Sequence, residues 1–420
     1  MSTPWETMPP EAEETDTQIA GTARVQEQMT IRGVLDALRQ RYRGGDLGTL
    51  PTIIALIVVW AVFFQLNERF ISPLNITNLM LQIAAMGTIA VGVVLILLLA
   101  EIDLSVAAVS GFAASVMGVL SVKQGWPGLL AIGAALVVGL LIGLFNGLWV
   151  TRFGVPSFVV TLAGLLAWQG ALLQTLGRTG TVNINDPSIT WLAFEFLPPA
   201  AGWAIAVIAV VTYAGAQLLT RRRRKVEGLG VQATWMLAAR ITLVAVLILG
   251  FVAFLNRDRG LPVALLLLLG LVVLFSVIVR RTRFGRHILA VGGNVEAARR
   301  AGISVSGIRL AVFAIASTLA ALGGVVAAAR LLAVNQNSGG GGLLLNSIAA
   351  AVIGGTSLFG GRGTVWAAFL GALVIGSISN GMDLLGYVSS IKYMVTGGVL
   401  LLAVTVDALS RRSRRAHGLA

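Results

Sequence analysis

Few side chains in this chain can do chemistry, and their spacing removes most classes of reaction. There is no cysteine, so disulfides, thiolate metal sites and cysteine nucleophiles are excluded together. The two histidines, His287 and His417, both lie in polar segments. No His or Cys cluster has metal-ligand spacing. Gly355-Thr356-Ser357-Leu358-Phe359 resembles a nucleophile motif but lacks the second glycine of G-x-S-x-G, and no base accompanies it. A tight small-residue turn between helices explains it better. The three lysines, Lys123, Lys225 and Lys392, never follow a glycine, so a Walker A phosphate loop cannot form. The chain reads as non-catalytic, with no catalytic, metal or cofactor site of its own.

The elements around these residues are hydrophobic. Of 420 residues 56% are hydrophobic and only 12% charged, and the mean hydropathy is +0.87. Soluble domains carry about 25% charged residues, so this one belongs in a membrane. The bilayer core is about 30 Å thick and needs about 20 apolar residues per helix. Runs of that kind fall at 50–68, 77–100, 104–122, 126–150, 156–177, 199–219, 236–255, 261–280, 308–331, 343–361, 364–383 and 390–408. They predict an all-α polytopic membrane protein with about 12 transmembrane segments, or ten to twelve if a re-entrant segment breaks the Gly-rich 339–363 region. The 31 Lys and Arg against 18 Asp and Glu give a net charge of +13. These basic residues cluster between runs, notably at Arg221–Lys225, Arg280–Arg286 and Arg411–Arg415. That pattern orients helices and places both termini in the cytoplasm; it is not the stripe that binds nucleic acid. Three regions follow: a tail 1–48, disordered and then amphipathic near 24–42; a membrane domain 49–410; and a basic tail 411–420. An apolar face of Val25, Met29, Val34, Leu35 and Leu38 in the first tail suits the anionic leaflet of the bilayer.

Two polar groups inside this frame have a readable purpose. Between runs eight and nine, Asn294 can cap a short helix whose first turn carries Glu296. Ala297 and Ala298 favour that helix, Arg299 and Arg300 suit its C-terminal end, and Gly302 can stop it. About two turns do not stand alone in water, so the element needs a docking surface. Within the apolar runs, Asn146, Gln169 and Asn380 must find partners. They can tie helices together or hydrogen-bond a solute. Trp168 and Phe158 fit packing, an interface or sugar stacking. Ser157 and Thr161 add hydroxyls, and such uncharged groups suit a neutral polyol. Before the third run, Asp103 can cap the helix starting near Leu104; alternatively Glu101 and Asp103 gate a helix end or meet a partner copy. Ion-driven carriers usually keep ionisable residues in their helices, and the centres of these runs have essentially none.

Several separated motifs then agree. Thr282–Ile303, with Arg283, Phe284, Gly285, Arg286, Gly292, Gly293, Asn294, Glu296, Ala297, Ala298 and Gly302, resembles the cytoplasmic coupling segment of bacterial ABC-importer permeases for monosaccharides. The stretches Ala100-Glu101-Ile102-Asp103-Leu104-Ser105-Val106, Gly143-Leu144-Phe145-Asn146-Gly147 and Val155–Leu162 are similar to that family as well. So are Ile353–Gly361 and Asn380-Gly381-Met382, in the same order. The likeness covers roughly residues 75–410 and is nearest to the D-xylose type, with extra hydrophobic sequence around 199–255. It departs at Val106-Ala107-Ala108, where the family commonly has Gly after the Val. The resemblance implies a type II importer permease fold. It also implies pairing as a homodimer in the bacterial inner membrane and a sugar delivered by an extracytoplasmic binding protein. A separate cytoplasmic ATPase, docked on the coupling segment, binds the ATP and Mg. An ion-coupled secondary sugar carrier is the alternative, and a channel or scaffold also fits an uncharged interior.

Overall fold

In the computed structural model, residues 49–416 are described, except Gln232. The predicted amphipathic segment at 24–42 lies outside them. The described residues divide into two units, one holding 203–253 and 409–416, the other 49–202 and 254–408. The first unit carries most of α7 (Pro199–Val226) and α8 (Thr234–Leu255). Four basic residues, Arg221 to Arg224, and then Lys225 end α7, where cations favour the negative pole of a helix.

The second unit is a helical bundle. Its elements before α7 are α1 (Leu50–Leu66), α2 (Pro73–Leu98), α3 (Val106–Gly118), α4 (Gly128–Arg152), α5 (Ser157–Leu176) and the short α6 (Pro187–Phe194). After α8 come α9 (Val263–Arg281), α10 (Arg283–Gly293), α11 (Val295–Arg300), α12 (Val305–Leu331), α13 (Gly341–Ile353), α14 (Trp366–Leu384) and α15 (Ser389–Ala416). Two small antiparallel ribbons tie connections together. β1 (Thr181–Asn183) pairs with β4 (Ala333–Asn335), and β2 (Phe196–Leu197) pairs with β3 (Leu261–Pro262).

The helix α2 is apolar on every side, and 94% of its most hydrophobic window is buried inside the protein. A helix of that kind belongs at the centre of a bundle. It packs on α12, and small residues permit the approach, as lipid tails give no hydrophobic drive between helices. A Cβ on Gly92 would meet the Ala316 carbonyl oxygen at 2.9 Å, and one on Gly147 would lie 3.1 Å from the Leu310 Cα, where α4 crosses α12.

Among the described residues nine helices are long and apolar enough to cross a membrane. The other three predicted runs are shorter apolar helices, at Leu50–Leu66, Gly342–Ile353 and Ser389–Leu402. The run 343–361 is therefore not one span. Its helix α13 has 13 residues, about 20 Å, and gives way at Gly354 to an irregular segment reaching Val365.

A repeat absent from the sequence is visible in the backbone. The long helix α2 ends near Ala100, with φ 61°, and a short turn leads into α3, whose 13 α-helical residues continue as a π-helical turn to Lys123. The long helix α12 ends at Leu332, with φ 52°, and the strand β4 followed by a turn leads into the 13-residue α13. These are the two non-glycine residues with positive φ among the described residues. The two units run in opposite directions, and they interlock: α3 packs on α12 and α13 packs on α2.

Candidate functional site

The turn between α2 and α3 gathers the polar residues that the sequence scatters. Asp103 Oδ1 accepts hydrogen bonds from the Ser105 backbone N–H (2.8 Å) and from Ser105 Oγ (2.6 Å). Asp103 thus holds the residue preceding the helix; α3 itself begins at Val106, two residues after the expected start. Asn146 of α4 donates to Ser105 Oγ at 3.1 Å. From α5, Thr161 Oγ1 accepts the Leu104 N–H (3.1 Å) and Ser157 Oγ the Ile102 N–H (3.4 Å). Glu101 pairs with Arg309 of α12 at 2.7 Å. Asn146, Ser157 and Thr161 therefore clamp this turn, satisfying backbone donors that would otherwise be buried alone. The other pathway candidates lie elsewhere. Phe158 is 52% exposed, and Gln169 is exposed. Trp168 stacks on Phe112 at 6.1 Å and meets Phe145 edge-on. Asn380 accepts from Asn75 at 2.7 Å, joining α14 to α2.

Burial pushes the Asp103 carboxyl above its ordinary value of 3.8, against the opposing pull of the Ser105 hydrogen bonds. The folded chain therefore keeps this proton where the unfolded chain has lost it. This carboxyl's contribution to stability is fully present below 3.8 and is lost as pH rises from there through the raised folded value. Asp103 Oδ2 and Asn146 Oδ1, both acceptors, have no donor among the described residues. Asp103→Asn keeps the Oδ1 acceptor, cannot ionise, and adds a donor. The variant should melt a few degrees higher than wild type at pH 8 in detergent, with little difference at pH 4. A lower melting temperature at pH 8 would refute this account.

A cavity of about 580 Å³ lies toward the β4 end of α12. Its polar lining comes from five helices: Gln82 of α2, Ser110 of α3, Arg330 of α12, Asn346 of α13 and Ser379 of α14. Tyr393 of α15 stands beside Gly342. None of the seven residues singled out for a solute pathway lines it. One wall is the non-helical stretch before α13. That stretch supplies its own partners. The Asn335 N–H donates to Ser338 Oγ (3.0 Å) and the Asn337 N–H to Asn335 Oδ1 (2.9 Å). The Ser338 N–H reaches the Asn335 carbonyl and the Gly340 N–H the Asn337 carbonyl, each at 2.9 Å. Gly339, at φ 70°, has no space for a side chain against Ala107 and Gly111.

At the opposite end of α12, the segment Arg283–Ile303 forms two helices rather than one. Thr282 caps α10 by accepting the Gly285 N–H at 3.1 Å. Ile288 and Val291 are fully buried, and Gly285 lies against Val279. Gly292 sits on the backbone of Leu98 and Gly361, so α10 touches the base of the turn 99–105. The expected α11 is present: Asn294 Oδ1 accepts the Ala297 N–H at 2.9 Å, Glu296 pairs with Arg299 at 2.8 Å, and Gly302 adopts φ 79°. Arg283, Arg286, Gly293, Glu296 and Arg300 are exposed, whereas Gly285, Gly292 and Ala298 are buried.

Residues 75–404 match the family described as the permease component of branched-chain amino acid transport systems. The chain belongs to this permease family. The permease is 40% identical over 362 residues to the xylose transport system permease protein of Escherichia coli K12, covering 86% of the chain and 92% of that relative. It is 38% identical to the corresponding protein of Haemophilus influenzae (86% and 96% covered). It is 31% identical to the ribose import permease protein of Bacillus subtilis (86% and 94% covered). No solved structure matches it. The permease is thus a multi-pass membrane transport subunit, not an enzyme, as its residue chemistry implies.

Proposed function

We propose that the permease imports a monosaccharide, D-xylose or a related sugar, with energy from ATP hydrolysed by a separate ATPase. That ATPase, holding the ATP and Mg, docks on the exposed faces of α10 and α11. An extracytoplasmic binding protein delivers sugar at the β1–β4 end, and two permease copies form the transporter in the inner membrane. The observation that carries this reading is the cavity. Its volume is in the range of about 300–1,000 Å³ usual for small-molecule sites, and amides and hydroxyls dominate its polar lining. Such groups exchange hydrogen bonds with a polyol without burying net charge. The family's description names branched-chain amino acids, but a zwitterion would want an anion as well as a cation, and among the described residues no carboxylate lines the cavity. The named sugar permeases among its relatives support the same choice.

In proteoliposomes, sugar accumulation should require binding protein, ATPase and ATP together, and should persist when proton and sodium gradients are collapsed. Uphill uptake by the purified permease alone, driven by an ion gradient, would assign it instead to the secondary carriers.

Orientation has its own check. The basic clusters support a cytoplasmic position for Arg221–Lys225 and both termini. In the cysteine-free chain, Arg223→Cys and Arg414→Cys should resist impermeant thiol reagents in intact cells and react after permeabilisation. Labelling of either in intact cells would reverse the topology.

A further inference from the structure

We infer that Arg330 is the specificity-determining residue of the cavity, donating hydrogen bonds to the oxygens of a neutral sugar, and that Lys392 keeps it free to do so by occupying Asp383. This rests on the reading of the permease as a sugar importer. Arg330 is half-buried and lines the cavity, and it has no hydrogen bond or ion pair among the described residues. A guanidinium has five donors and no acceptor, so a desolvated one must be met by oxygens. The obvious oxygens are those of Asp383 on α14, near enough for Arg330 to feel its charge. Asp383, however, is bonded to Lys392 of α15. The nearby anion is thereby taken, and the arginine faces a space otherwise walled by Gln82, Asn346 and Ser379. A polyhydroxylated solute supplies several acceptors at the spacing of a guanidinium fork.

The logic predicts a rescue that simple damage would not show. Sugar binding is measured by saturation-transfer NMR with D-xylose on the full-length permease in nanodiscs, with melting temperature as the control for folding. Arg330→Gln should weaken binding about tenfold or more, the scale of losing hydrogen bonds to a charged group. Arg330→Lys should recover only part, because a point charge does not reproduce the fork. Lys392→Met should weaken binding similarly, since Asp383 then captures Arg330. The double variant Asp383→Asn with Lys392→Met should restore it, because no anion remains to do so. Wild-type affinity in Lys392→Met or in Arg330→Gln, failure of the double variant to recover, or tighter binding of D-glucuronate than of D-xylose would each overturn the inference. Binding by the wild type that ignores these substitutions overturns this inference alone. No binding of any sugar by the wild type overturns the sugar reading with it.

Discussion

Replacing Gly292 by alanine should abolish uptake and lower the melting temperature, while the same change at the next residue, Gly293→Ala, should leave the melting temperature intact or raised. A Cβ on Gly292 would lie 2.8 Å from the Gly361 nitrogen and from the Leu98 carbonyl carbon. Both are backbone atoms, so no rotamer relieves the clash and α10 must lift from the turn beneath it. Overpacking costs about 1–3 kcal/mol where side chains can yield, and more where they cannot. That turn carries Glu101, Asp103 and Ser105 at the foot of α3, whose next turns line the cavity, so the disturbance reaches the solute. A Cβ on Gly293 meets nothing within 4 Å. There, exchanging glycine for alanine in a helix gains up to about 1 kcal/mol. Normal uptake by Gly292→Ala, or a fall in melting temperature for Gly293→Ala, would refute the packing account.

Ala298→Pro should separate insertion from transport. The Ala298 N–H donates to the Asn294 carbonyl at 3.0 Å, and proline removes that donor and crowds the same carbonyl. The cost is about 3 kcal/mol in a helix of six residues that has no further turns to fall back on. Ala298 is buried, so the change also disturbs the seating of α11. The variant should reach the membrane at wild-type levels, lose uptake and fail to copurify with the ATPase. Wild-type uptake with unchanged copurification would remove α11 from the docking surface.

The α11 helix was legible because its signals are local: a cap, an acidic first turn, alanines and a glycine stop lie within nine residues. Its neighbour α10 is harder to read, although Thr282 stands before it and Ile288 and Val291 fall on one face, because paired glycines are poor helix formers and α10 ends on two of them. The cavity was harder. Gln82 and Asn346 are lone polar residues in apolar runs, as Asn146 and Asn380 are. Residue type does not separate the pair that faces open space from the pair that ties helices. Only the rotation of each helix against its neighbours decides, and that depends on contacts distant in sequence. The inverted repeat left no pattern because each of its long helices is packed by different neighbours, which call for different small and large apolar residues, while the backbone angles at Ala100 and Leu332 do not show in residue type.

The hydrogen bonds of Asn335–Gly340 bear on how far the cavity wall can travel. An amide stripped of its partner in an apolar medium forfeits about 4–6 kcal/mol. For most buried backbone outside helices, displacement means breaking bonds to a neighbouring element at that penalty. Here four donors, the amides of Asn335, Asn337, Ser338 and Gly340, are answered within the segment itself. Because Asn335 also belongs to the β1–β4 ribbon, the segment can shift only together with that ribbon, and these four bonds are then carried along unchanged. What resists the shift is the close contact of Gly339 with Ala107 and Gly111, which is short-ranged and fades within the first ångström or so of separation.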